Sequence, residues 1–517
     1  MKIDDFNEAM NHIDPELIEE AGQTKGTGRK RVPVWVRYGV PGIAAAGAVA
    51  VGLLWLAGQN GSGPEELTGD NITEPAKYET TPEQTVAADN KEDRFTVTQP
   101  AEETSATAAE STPAPTGVTY LAEAKPMKAL SYQNRSALKW SDEEYQAQMV
   151  FTDKTAGLFY DANNEEGNFV YSPAGLYTGL AMLARCQDEA GASELYQILG
   201  LNADDADAYV QKMMESITAD EENSICRISN ALWSGWYSWN DAASARFQAV
   251  ADAYQADVLS VGEDCWYDKE ALSEVVTAWI SEHLQAEQDA FLIEKQQSLL
   301  LLNTILFQKS WKFPFYDSET QEYFTTQTGQ EVSCEMMNAS LINGSCLETE
   351  RFTAAKIPYT DDSYLVVMLP AEGVEVQELL GSDLTKVLDT FRQGQEQSVD
   401  ELVISMPKTD YTCNLKTLEK LLGGLGLSSA LTPEAFSTIT RTGYENNVTA
   451  ISQNNHISFD EEGTSAESLT VIRATGVASD ILIETTLELK LNRPYAYSVV
   501  TGNGTILYVG VVGNPVS

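Results

Sequence analysis

Side chains able to do acid–base or nucleophilic chemistry at neutral pH are scarce in this chain. It has three histidines in 517 residues, His12, His283 and His456. A Ser-His-Asp or Cys-His machine needs an imidazole, and only these positions could supply one. The sequence contains neither H-E-x-x-H nor G-x-S-x-G. Its six cysteines, Cys186, Cys226, Cys265, Cys334, Cys346 and Cys413, include no C-x-x-C pair, the spacing that zinc and thioredoxin-type sites require. They are scattered and are expected as mostly free or buried thiols. Hydrolase chemistry is disfavoured, and neither a metal nor a cofactor is expected.

A different pattern stands at Glu461–Val471, EEGTSAESLTV. Every second residue from Thr464 is small: Thr464, Ala466, Ser468, Thr470. The other face reads Ser465, Glu467, Leu469, Val471. A half-buried strand normally places bulky apolar residues on its inner face. Taken alone, this stretch reads as a linker or a hairpin edge.

Several elements must carry whatever this stretch does. Residues 1–38 form a polar tail ending in Lys25, Arg29, Lys30, Arg31 and Arg37. Phe6, Met10, Ile13 and Leu17 fall at helical spacing in it, with Pro15 as a break. Residues 39–58 carry no charge and have the length of a membrane-crossing helix. The basic flank predicts an uncleaved signal anchor, with the N-terminus cytoplasmic and the rest outside. Residues 59–124, rich in Thr, Glu, Pro and Ala, read as a disordered acidic stalk. From 125 to 517 the texture is globular. Helical runs come first, such as YSPAGLYTGLAMLA, and strand-like runs later: LLLLNTILFQKSW, SYLVVMLP, DELVISMPK, TILYVGVVGNP. The fold class expected is α+β. A net charge of −44 argues against nucleic-acid binding.

From about residue 146 onward, seven blocks stand in an order that resembles the serpin family. NFVYSPAGLYTGLAMLA has Asn168, Ser172 and Pro173; ISNALW has Asn230; LLNTILFQKSWKFPF has Asn303, Phe307, Trp311 and Phe315. Thr320, Phe324 and Met337 follow, then KIPY and VVMLP, ISMPK, LNRPYAYSVV, and ILYVGVVGNP with Gly510, Asn514 and Pro515. The resemblance implies a serpin fold, with large mixed sheets and an exposed reactive loop near the C-terminus. It makes Glu461, Glu462, Gly463 and Thr464 the loop's hinge, continuing through Ala466, Ser468 and Thr470. In this family a protease cuts the loop, and its N-terminal part enters the main sheet as a new strand. Small inner residues would slide over a packed core without the roughly 1–3 kcal/mol cost of overpacking. Glu467 and Leu469 depart from the family's run of alanines, on the outward face.

Counting from Gly463, the family register puts the cut at Val477–Ala478. Thr464 to Val477 is 14 residues, or roughly 46 Å of strand at about 3.3 Å each. Val477 between Gly476 and Ala478 points to an elastase-like serine protease as partner, with cysteine proteases as a second target class. The loop is a few residues longer than usual, so Ile481, Leu482 and Ile483 are alternative cut sites. By the same resemblance, Ser172, Asn303 and Gln453 lie where strands part to admit the loop, and Trp311 near the top of the opening. Gln453 replaces a common histidine; glutamine still donates and accepts hydrogen bonds. The combined expectation is a monomeric inhibitor on a bacterial cell surface, held by a single membrane helix. The alternative is a non-inhibitory binding protein of the same fold.

Overall fold

The computed structural model describes residues 118–125, 127–164, 167–221, 224–235, 238–284, 299–317, 322–464 and 483–516. The tail 1–38, the apolar segment 39–58 and most of the stalk lie outside these residues. Among the described residues, no helix is long and apolar enough to cross a membrane.

Two large sheets face each other. The first has eight strands. From one edge its path runs Val118–Ala122, Ala256–Val261, Ser224–Gly235, Leu299–Ser310, Gly463–Thr464, Val448–Phe459 and Thr409–Leu415. The second has nine strands, with Met336–Glu348, Phe352–Pro358, Tyr364–Pro370, Tyr495–Val500 and Ile506–Val512 adjacent in that order. The main apolar core fills the space between the sheets and around the helix Pro173–Cys186. That helix starts cleanly: Ser172 caps it through the Gly175 N–H and Pro173 occupies the first turn.

The strand Leu299–Ser310 is buried at all of its 12 positions. One face lies on the main core. The other lies under the helix Lys269–Leu284, through Leu300 and Leu302. Burial on both faces explains its near-continuous apolar run.

Two expectations need correction. Strands are not confined to the later half, since Ser224–Gly235 and Ala256–Val261 alternate with the early helices. The described strands also begin before residue 125. Val118–Ala122 pairs antiparallel with Ala256–Val261, because Val118, Thr119 and Tyr120 favour a pleated, half-buried surface. All six cysteines are free thiols.

Candidate functional site

The two central strands of the first sheet, Leu299–Ser310 and Val448–Phe459, run parallel but pair over only part of their length. The ladder runs from Val448–Leu299 to Gln453–Asn303 and stops there. Each strand remains held on its far side, one by Ser224–Gly235 and the other by Thr409–Leu415. Among the described residues, 304–308 and 454–458 therefore flank a slot with no ladder between them. Gly463 and Thr464 close its open end: Thr464 stands opposite both Phe459 and Lys309, and Gly463 opposite Ser310.

An amide cluster fixes the closed end. Gln453 Oε1 accepts the Ser172 backbone N–H at 2.7 Å. Its Nε2 donates to Ser172 O and to Asn303 Oδ1, both at 3.0 Å. Asn303 Nδ2 donates to Asn230 Oδ1 at 2.9 Å, and Asn455 Nδ2 to Gln453 Oε1 at 3.1 Å. All five side chains are buried. The cluster ties both central strands to the start of the Pro173–Cys186 helix, where a Cβ at Gly175 would lie 2.1 Å from Asn303 Oδ1. Beside the slot, Thr304 Oγ1, Asn454 Oδ1 and Asn455 Oδ1 are buried and have no hydrogen-bond partner among the described residues. Such groups cost about 1–3 kcal/mol each, a reason for this region to accept another strand.

Aromatic packing holds the open end. Trp311 stacks on Tyr359 with ring centroids 4.6 Å apart and 10° between planes. Its indole N–H donates to Asp460 O at 2.8 Å, and its backbone N–H to Glu462 O at 2.8 Å. The Tyr359 hydroxyl lies 2.7 Å from that of Thr464, and burial pushes its pKa up. Asp460 Oδ1 accepts the N–H groups of Glu462 and Gly463, both at 2.8 Å. Lys408 reaches Glu461 at 2.5 Å. A Cβ at Gly463 would meet Lys309 O at 2.1 Å, so this close approach requires glycine. Below the hinge, Lys309 pairs with Asp361. Burial raises the Asp361 carboxyl, but Lys309 and the Ser363 hydrogen bonds outweigh it and hold the carboxyl below its usual range.

The structure thus brings Ser172, Asn303 and Gln453 together at one end of the slot, and Trp311, Glu461, Glu462, Gly463 and Thr464 at the other. Ala466, Ser468, Thr470, Val477 and Ala478 lie outside the described residues. Asn230, Tyr359 of KIPY and Lys408 of ISMPK stand in the sequence only as family landmarks, and Asn455 carries no role there. The signal for Asn455 was present: three consecutive amides, Gln453 to Asn455, interrupt an apolar strand, and buried amides need partners.

The family model "Serpin (serine protease inhibitor)" matches residues 147–515. Serpin A3-7 of Bos taurus is 24% identical over 364 residues, covering 67% of this chain and 83% of that protein. Serpin I2 of Homo sapiens is 23% identical over 391 residues, covering 70% and 90%. Among solved structures, the thermophilic serpin tengpin in its native state is similar, with TM-score 0.62 and 22% identity, covering 77% of this chain and 99% of that one. Thyroxine-binding globulin in complex with thyroxine is similar at TM-score 0.60 and 19% identity, covering 72% and 100%. The serpin-type sheets, the strand order around the slot and the family match over most of the chain agree: this protein belongs to the serpins, a family of protease inhibitors rather than enzymes.

Proposed function

We propose that this serpin is an outward-facing, membrane-tethered suicide inhibitor of an elastase-like serine protease. In this reading residues 1–38 are the cytoplasmic tail, 39–58 the anchor, and the acidic segment up to about 117 the stalk. The observation that carries the inhibitory part is the slot: two central strands held on their far sides, parted between, with the hinge already in the gap.

Continuing the hinge's antiparallel register into the slot tests the fit residue by residue. Thr464 is opposite Phe459 and Lys309. Two steps on, Ala466 would lie between Ile457 and Phe307, where a larger side chain would overpack. Ser468 would come opposite Asn455, whose Oδ1 has no partner among the described residues. Thr470 would reach the rung of Gln453 and Asn303. On the outward face Glu467 would stand opposite His456, which already hydrogen-bonds Asp410 at 2.7 Å. The departure from alanine at Glu467 would therefore meet a polar imidazole rather than an apolar side chain.

The protease serine attacks the Val477 carbonyl, the amine of Ala478 leaves with a proton, and an acyl-enzyme forms. Insertion of the thirteen residues that follow Thr464, up to Val477, then carries the bound enzyme away. A misplacement of only about 1 Å costs on the order of 100-fold in rate, so deacylation stalls. A cysteine protease would be trapped as a thioester by the same steps.

The test mixes the full-length protein with an elastase-type serine protease and separates the products on a denaturing gel. A covalent band near the summed mass, with a released peptide beginning at Ala478, is expected. Clean cleavage without that band would favour the second reading, a non-inhibitory binding protein. Leu469, which would stand outward between Asn454 and Thr304, is the observation in its favour.

A further inference from the structure

The helix Lys269–Leu284 lies on the outer face of the first sheet, over Leu300 and Leu302, and Ala450 of the adjacent central strand packs against the same apolar cluster. These residues belong to the paired half of the two central strands. The helix thus spans the seam that must separate before a long strand can enter.

At the sheet edge a buried carboxylate grips this helix. Asp257, on the strand Ala256–Val261, is 4% exposed. Its Oδ2 accepts the indole N–H of Trp279 at 2.9 Å. Its Oδ1 accepts the backbone N–H of Ala124 at 2.9 Å. His283 Nε2 lies 3.7 Å from the same carboxylate, with its ring stacked on Trp279 at 4.0 Å. Trp279 in turn packs edge-on against Trp233 of the next strand, 6.5 Å between centroids. Ala124 follows the edge strand Val118–Ala122, which precedes the family match beginning at residue 147. One side chain therefore joins three elements: the covering helix, the sheet edge and an N-terminal strand added to that edge.

We propose that Asp257 is a positioning residue that sets the rate of loop insertion. It acts as a latch, holding the helix and the added strand on the sheet until the seam opens. Hydrogen bonds to a buried carboxylate are among the stronger ones, and a buried charge that loses a donor is costly. The helix cannot shift off Leu300 and Leu302 without stretching the Trp279 bond. The bond re-forms when the helix settles on the widened sheet, so it slows the passage and leaves the end state unaffected.

This inference rests on the inhibitory reading. The test compares the full-length wild type with Trp279→Phe, which keeps the packing and removes the donor, and with Asp257→Asn. Each is cut in the loop at saturating protease, and samples are withdrawn to follow how fast the cut protein becomes resistant to concentrated urea. Both variants are expected to convert about tenfold faster, the effect of losing one charge-assisted bond. The gain in melting temperature on full conversion should match that of wild type. Variants that convert at the wild-type rate, even with lowered stability of the uncut form, overturn the latch and leave Asp257 a purely structural residue. A wild type that is cut but never becomes resistant overturns the inhibitory reading, and this inference with it.

Discussion

At the scale of single residues, the proposed insertion requires the polar cluster at the closed end of the slot to yield as the sheet parts. Gln453→Ala removes four hydrogen bonds and strands the Ser172 N–H and the Asn303 amide in a dry interior. The expected loss is about 2–4 kcal/mol in the uncut protein, read as a lower denaturation midpoint. His456→Ala tests the outward face. It leaves Glu467 to enter beside Asp410 without the imidazole opposite it, and should reduce the stabilisation gained on loop cleavage by about 0.5–1 kcal/mol. Calorimetry of the cut and uncut forms would measure it, and an unchanged gain would mean Glu467 does not reach that register. Little of this cluster was legible from residue spacing. Gln453 and Ser172 are separated by 281 positions, and no local period reports a contact that distant. Ser172, Asn303, Gln453 and Trp311 were marked by family resemblance alone, whereas the run of three amides was a physical signal in plain view.

At the scale of elements, short contacts fix where strands and turns begin. Gly463→Ala would force a Cβ against Lys309 O, where the hinge meets the strand Leu299–Ser310. The hinge is expected to lift from the sheet, and hydrogen exchange at the Trp311 N–H, now bonded to Glu462 O, should speed up at least tenfold. The carboxylate of Glu194, on the helix Glu189–Leu199, holds a distant turn by accepting the N–H groups of Ser428 and Ala430 at 2.8 and 3.1 Å. Partial burial raises its pKa, but these bonds and those from the Ser428 and Ser429 hydroxyls outweigh it and bring it to about 2 from 4.5. A lowered carboxylate pKa contributes stability above the unfolded value and loses it as pH falls through the folded one. Glu194→Gln should therefore flatten the acid limb of the stability profile between pH 4.5 and 2, by roughly 1 kcal/mol for so exposed a group. Elements were easiest to foresee where burial is two-sided, as in Leu299–Ser310. Val118–Ala122 was missed because its five residues follow a long Thr- and Pro-rich run and depend on a partner strand 130 or more positions away.

At the scale of the whole molecule, the arrangement is a sheet with room for one more strand. The central strands are paired at one end, parted at the other, and bordered by buried polar atoms that lack partners among the described residues. The fold as a whole was legible because seven short blocks stand in family order. The slot was not, since it arises from where two strands 150 positions apart stop pairing. A net charge of −44 would set copies of the chain against one another by like-charge repulsion. The central claim is that this gap is filled by the protein's own loop. The most direct measurement is the melting temperature of the full-length protein before and after a single cut between Thr464 and Thr485. Completion of the sheet predicts a rise of tens of degrees, since one inserted strand adds a buried ladder on both of its edges. An unchanged or lowered melting temperature after complete cleavage would contradict the account.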